Sequence, residues 1–291
     1  MTHPPLPEED IDSLWDFADP ALSEARFRRA LETAQGAHEI ELATQVARAL
    51  GLQRRFNEGH HILDTLIQLL PQQPPRAGVR YRLERGRLYR SAGQPEQARP
   101  YFLEAWERAV AAGENALAID AAHMLALVAP PEQQQAWNLR ALELAEQSND
   151  PRARRWLGSL YNNIGWTHHD QGRYAEALAL FERAVEWRAA QGQPRELRIA
   201  RWCVARALRS LGRVEQALAQ QRDLLAQLQA ENDSDGYIDE EIGECLLLLG
   251  RAQEARPHFA RAHALLAADP WLAENEAGRL ARLRELSEEQ N

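Results

Sequence analysis

The residue types in this sequence that could do chemistry are few, and their spacing works against it. His60-His61 and His168-His169 are adjacent pairs. Neighbouring side chains on a helix point apart, so neither pair can grip one metal ion as an i, i+4 pair does. Surface or structural roles are expected for them. Asp233, Asp235, Gly236, Asp239 and Glu240 resemble the start of a calcium loop, but no late bidentate Glu follows in register, so an acidic turn is expected. Cys203 and Cys245 show neither a CxxC pair nor metal-ligand spacing, which fits buried thiols in a reducing compartment. Cys203 could act as a nucleophile only if neighbouring helices brought His169 or His123 to it. A phosphate-binding loop, a GxSxG elbow and a dinucleotide fingerprint are all missing. The expectation is a non-catalytic chain with no catalytic residue, no metal and no cofactor.

The elements that would position any binding residues are short amphipathic helices in a repeating frame. In Tyr161-Asn-Asn-Ile-Gly-Trp-Thr-His-His-Asp-Gln-Gly-Arg-Tyr-Ala-Glu-Ala-Leu-Ala-Leu-Phe-Glu-Arg-Ala184, take Gly165 as origin. Gly172 then suits a left-handed helix end, Ala177 and Ala184 are small residues of a second helix, and Phe181 fills the space between them. The frame recurs at Gly86 with Gly93, Ala98, Phe102 and Ala105, and at Gly243 with Gly250, Ala255, Phe259 and Ala262. It recurs in degraded form at Ala205 with Gly212 and Ala217. It is weakest at Ala47, where Arg54 replaces the turn glycine, and at Ala122, whose turn is Pro130-Pro131.

These residues resemble the tetratricopeptide repeat, in a long-repeat bacterial variant similar to kinesin-light-chain-like and signalling members. The resemblance implies an all-α, right-handed α-solenoid of about six helix-turn-helix repeats with capping helices at both ends. Residues 1–19 are expected to form a flexible leader and a short apolar cap, and 20–291 a single superhelical domain. Its repeats fall at about 39–70, 78–112, 116–148, 156–191, 196–230 and 236–268, with caps at 20–35 and 271–288. The residues between repeats either lengthen the helices or form loops. Ile11, Leu14, Trp15 and Phe17 either fold back over the first helix pair or serve as a linear motif.

The resemblance also implies that the first helices line a concave groove. Their exposed stripe lies six and three residues before each origin and one and four after it. From this stripe the candidate peptide-binding residues are Arg48, Arg80, Arg87, Arg90, His123, Asn162, Trp166, His169, Trp202, Arg206 and Arg209. Asn163 is the alternative to Asn162 for holding a ligand backbone, as the family's asparagine does. The stripe of the middle four repeats has no carboxylate, although acids outnumber bases 43 to 34 in the whole chain, and all 34 bases are arginine. Arginine forks and flat aromatics suit an acidic peptide with an apolar residue. Alternatively, glutamates of adjacent helices neutralise the arginines.

The net charge of −9 argues against a general nucleic-acid partner. Without a secretory signal or membrane span, a cytoplasmic protein is expected, away from membranes, as a monomer or weak homodimer. The reading that results is an interaction scaffold for a peptide segment of a partner protein, with an acidic segment as one option. The alternatives are a sensor of signalling peptides or small molecules and a self-assembling solenoid.

Overall fold

The computed structural model describes residues 11–288, and among them the regular structure is entirely helical. The first half of the expected leader, residues 1–10, lies outside the described residues. The chain divides between Leu157 and Gly158 into two compact units.

The first unit opens with a 3-10 turn, Ile11–Leu14, and helix α1, Pro20–Leu31. Asp19 caps α1 by accepting the Leu22 N–H, and Pro20 supplies a first-turn residue with no N–H to satisfy. Three antiparallel pairs follow: α2 (Gly36–Leu52) with α3 (Phe56–Leu66), α4 (Pro75–Ser91) with α5 (Pro95–Ala111), and α6 (Asn115–Val128) with α7 (Pro131–Gln147). A short helix α8, Pro151–Arg154, ends the unit.

The second unit repeats the design. It pairs α9 (Leu157–Asp170) with α10 (Tyr174–Ala190), α11 (Pro194–Ser210) with α12 (Val214–Ala230), and α13 (Gly236–Leu248) with α14 (Ala252–Leu266). The expected single C-terminal cap is broken into α15 (Pro270–Asn275) and α16 (Ala277–Ser287). Asn275 and Gly278, both weak helix formers, flank the break, which lets Leu280 and Leu283 of α16 reach the core.

The small origin residues are where two helices of a pair touch. A Cβ added at Gly86 would lie 2.5 Å from Phe102, at Gly165 2.5 Å from Phe181 and at Gly243 2.7 Å from Phe259. Each of these phenylalanines is fully buried. The turn glycines Gly93, Gly172, Gly212 and Gly250 have φ between 71° and 78°, the left-handed conformation that ends each first helix. Arg54, the sequence substitute in the α2–α3 turn, adopts φ 62° regardless. The shared turn geometry therefore overrides the residue's preference, at a cost of about 1 kcal/mol.

The inter-repeat residues mostly lengthen helices: α4, α5, α7, α10, α11 and α12 each span 17 residues. The longest repeat interval, from Ala122 to Gly165, instead contains α8. Asp150 caps that helix by accepting the Arg152 N–H.

Candidate peptide-binding faces

In the first unit, Arg48 projects from α2, Arg80, Arg87 and Arg90 from α4, and His123 from α6. Arg48, Arg87, Arg90 and His123 share the wall of a hollow of about 310 Å³ with Trp156. Most of the arginines hold acids of a neighbouring first helix. Arg80 donates from Nε to Glu41 at 2.7 Å, and Arg76 donates to the same carboxylate at 3.1 Å. Arg87 donates to Glu84 at 2.6 Å and to Asp120 Oδ2 at 2.6 Å. Arg48 approaches Glu84 only to 4.0 Å, and exposed Arg90 has no ion pair among the described residues.

This electrostatic arrangement is internally balanced. Burial acts to raise the Asp120 carboxyl, but the guanidinium groups of Arg87 and Arg48 hold it below the ordinary carboxylate range. Burial depresses Arg48, and the neighbouring Arg87 charge adds to the effect. His123 is held below its ordinary value by burial, with Arg87 and Arg90 reinforcing and Asp120 opposing.

In the second unit, Asn162, Trp166 and His169 stand on α9, and Trp202, Arg206 and Arg209 on α11. Aromatic rings run from helix to helix: Trp166 and Trp202 have centroids 6.0 Å apart, and Trp202 and Tyr237 of α13 6.3 Å apart. His169 lies 5.0 Å from Trp166 and shares a 2.9 Å hydrogen bond between Nε2 and Ser210 Oγ. Arg206 donates to the same hydroxyl at 2.9 Å. Arg209 grips both oxygens of Glu241 at 2.7 and 2.9 Å, and Arg206 lies 3.2 Å from that carboxylate. Asn162 donates to Asn163 Oδ1 at 3.4 Å and accepts from the Cys203 thiol at 3.5 Å. Beside the aromatic run lies a hollow of about 470 Å³ lined by Ile199, Trp202, Leu228, Tyr237 and Ile238 together with Arg195, Arg198, Asp233, Ser234 and Asp235.

Other chemical candidates are used structurally. His60 meets Arg85 at 2.8 Å, and Asp239 is held by His258 at 2.7 Å and Arg261 at 2.9 Å. Asp235 caps α13 by accepting the Tyr237 N–H. Burial pushes both the Cys203 and Cys245 thiols up to about 12, which keeps them protonated and unreactive.

The carboxylates Glu84, Asp120 and Glu241 were absent from the sequence stripe because they stand two residues before the origins at Gly86, Ala122 and Gly243. In space they meet the residue one past the previous origin: Arg48, Arg87 and Arg206 respectively. Recurrence of acids at that one frame position was the available signal. Trp15, Phe17 and Trp156 were also outside the stripe, and nothing in the repeat frame marks them.

Residues 135–189 match the family model described as tetratricopeptide repeat. No curated protein sequence matches the chain. A signal-transduction ATPase with numerous domains and a tetratricopeptide repeat sensor, from Pyrococcus horikoshii, superposes with a TM-score of 0.71 at 13% identity. That match covers 91% of this chain, which spans only 41% of the ATPase. BtubC from P. vanneervenii aligns over 77% of this chain and 93% of its own, at TM-score 0.57 and 17% identity. A Rap protein complexed with competence and sporulation factor aligns over 83% of this chain and 72% of its own, at TM-score 0.52 and 14% identity. The chain thus has the fold of the tetratricopeptide-repeat proteins and carries that family's sequence signature at residues 135–189.

Proposed function

We propose that the chain is a non-catalytic interaction scaffold that holds a segment of a partner protein against the exposed faces of its first helices. The observation that carries this reading is the aromatic run Trp166–Trp202–Tyr237 beside an open hollow whose lining mixes apolar and charged side chains. Ile199 at that hollow is 50% exposed and Tyr237 36%, so apolar surface contiguous with the aromatic run faces solvent there. Large, rigid aromatics of this kind anchor protein interfaces at low entropic cost.

An aromatic or aliphatic anchor of the partner would enter the hollow. The acidic preference is narrower than the sequence stripe implies, because Arg80, Arg87 and Arg209 are already neutralised by Glu41, Asp120 and Glu241. In the first unit it rests on Arg90 and on the weakly paired Arg48, and in the second on Arg206, which shares the one Glu241 carboxylate with Arg209. Replacing Ile199 and Trp202 by alanine should abolish capture of the partner while the fold is retained; undiminished capture would overturn the reading.

A sensor of a short signalling peptide or small molecule is the second reading. It is favoured by the hollow's volume of about 470 Å³, which falls within the usual range of ligand pockets. The Rap protein, whose structure holds competence and sporulation factor, shares the fold.

A further inference from the structure

The first unit's own N-terminal segment lies across its first-helix face. Trp15 donates its indole N–H to Gln45 of α2 at 3.1 Å, stacks on Phe17 at 4.8 Å with an interplanar angle of 1°, and meets Phe27 edge-on at 5.0 Å. The Arg48 guanidinium sits 5.1 Å from the Trp15 ring centroid and 5.3 Å from that of Phe17. Asp12 accepts from Arg155, just past α8, at 2.7 Å. The segment therefore spans the unit from α2 to the end of α8. It forms one wall of a hollow of about 340 Å³ whose other walls include Arg80, Arg87 and Trp156.

Two arginines on this face differ from the rest in where their partners come from. Arg80 and Arg87 hold carboxylates of the helices themselves, so their charge is satisfied by the folded array. Arg155 has its one ion pair among the described residues with Asp12. Arg48 has only a 4.0 Å approach to a carboxylate already held by Arg87, and its closest cation partners are the two rings of the segment. Without residues 12–17, one guanidinium lacks its acid and the other its aromatic faces. The face is thus built for a carboxylate followed by aromatic rings three and five positions later.

The segment is held unevenly. Ile11 is buried with Phe27, Val46 and Leu50, which fixes the start of the segment. Beyond it, Phe17 is 61% exposed and the Asp12–Arg155 pair is open to water. That pair contributes about 0–1 kcal/mol, so residues 12–17 are held mainly by Leu14 and Trp15 packed against Phe27, by the Trp15–Gln45 bond and by the two 2.8 Å bonds between the Asp16 backbone and the Ser23 hydroxyl, all of which a displacing segment must replace.

We propose that residues 12–17 are the resident occupant of the first unit's face, and that a protein segment with the same order of groups, an acid and then aromatics three and five residues on, binds there by displacing them. This rests on the scaffold reading and specifies the partner's chemistry and its control. Tethering gives the resident segment an effective concentration of order mM, so an external segment must bind well enough to compete with it.

The test uses a labelled synthetic peptide of residues 11–20, Ile-Asp-Ser-Leu-Trp-Asp-Phe-Ala-Asp-Pro, titrated against the full chain and against its Asp12→Asn/Trp15→Ala/Phe17→Ala variant. The variant should bind at least tenfold more tightly than the parent chain. A peptide with asparagine for its aspartate at position 12 and alanine for both aromatics should not bind the variant. Equal affinity for the two chains, or no binding to a variant that melts like the parent, would overturn the proposal. Should the variant fold poorly, hydrogen exchange on the parent chain with excess peptide decides the matter. Residues 12–17 should lose protection while α2 and α4 gain it; unchanged protection under saturating peptide overturns the displacement. Neither assay involves the partner or the second unit's Ile199 and Trp202, so failure here leaves the scaffold reading standing, and the converse holds too.

Discussion

Arg87 reaches from its own helix pair into the next and donates to Asp120 Oδ2 at 2.6 Å, the same frame relation by which Arg206 lies 3.2 Å from Glu241 in the second unit. Both arginines stand one residue past a repeat origin, and both acids two residues before the next. Register between successive pairs is thus marked by charge as well as by apolar packing. Because Glu84 and Asp120 are largely buried, Arg87→Ala strands Asp120 and leaves Glu84 only Gln45 at 3.5 Å and Arg48 at 4.0 Å, so it should destabilise the chain by about 3–5 kcal/mol. Arg90→Ala, at an exposed position one turn away with no ion pair among the described residues, should stay within about 0.5 kcal/mol of the parent. Urea unfolding of the two variants checks the contrast, and similar losses would contradict it.

Gly165 and Phe181 offer a test of the helix-pair contact. The added methyl of Gly165→Ala would lie 2.5 Å from the Phe181 ring and should cost about 1–3 kcal/mol through overpacking. Phe181→Ala, which empties a fully buried site, should cost about 3–5 kcal/mol. The double variant should cost clearly less than the sum, because the alanine methyl then has room. Strict additivity in denaturant titrations would mean that the two residues do not share the space.

Acid should weaken the fold in two stages. His123 and His169 are held below their ordinary value chiefly by burial, with Arg87 acting on the first and Arg206 on the second, and His60 is lowered by burial and Arg85. A depressed histidine binds fewer protons folded than unfolded, so its contribution is complete above the unfolded value, about 6.5, and declines as pH falls below it. Asp120 and Asp239 are lowered as well, and their contribution is lost further down, as pH falls through the folded carboxyl values. The melting temperature should therefore be lower at pH 5.5 than at pH 7.5, and His123→Gln should shrink the difference. A melting temperature that rises on acidification would contradict these directions.

The sequence was most informative where one physical constraint repeats. Small origin residues, the phenylalanine sixteen positions on and the turn glycine all follow from helix contact and left-handed termination, and the structure places them accordingly. The arginine stripe was legible as positions but not as charge state. A stripe spaced by helical period describes one helix, whereas Glu84, Asp120 and Glu241 reach the arginines from the next helix, across an interval that periodicity does not encode. Trp15 and Phe17 were seen as an apolar cluster, but their seat beneath Arg48 depends on a chain reversal before α1 that no local pattern specifies. The two-part C-terminal cap was hidden because Asn275 and Gly278 only weaken a helix, and packing of Leu280 and Leu283 decides where it breaks.

Arginine identity should matter less for binding than the unpaired stripe read from the sequence implies, because most of these arginines already hold a carboxylate. Because Arg209 is neutralised by Glu241, its loss should be felt mainly in stability, whereas Arg90→Glu should reduce affinity for an acidic segment with little change in melting. Calorimetric titration of an acidic and a neutral version of one captured segment measures the difference. Equal affinities for the two would remove the acidic preference while leaving apolar anchoring intact.

The most direct measurement compares partner capture by the parent chain, by Ile199→Ala/Trp202→Ala on the first-helix face of the second unit, and by Val110→Ser/Leu139→Ser. The last two residues are similarly exposed apolar side chains on second helices α5 and α7. With all three proteins equally folded, the first pair of substitutions should abolish capture of the proteins retained by the parent, and the second should leave it intact. Loss only with Val110→Ser/Leu139→Ser would contradict recognition by the first helices.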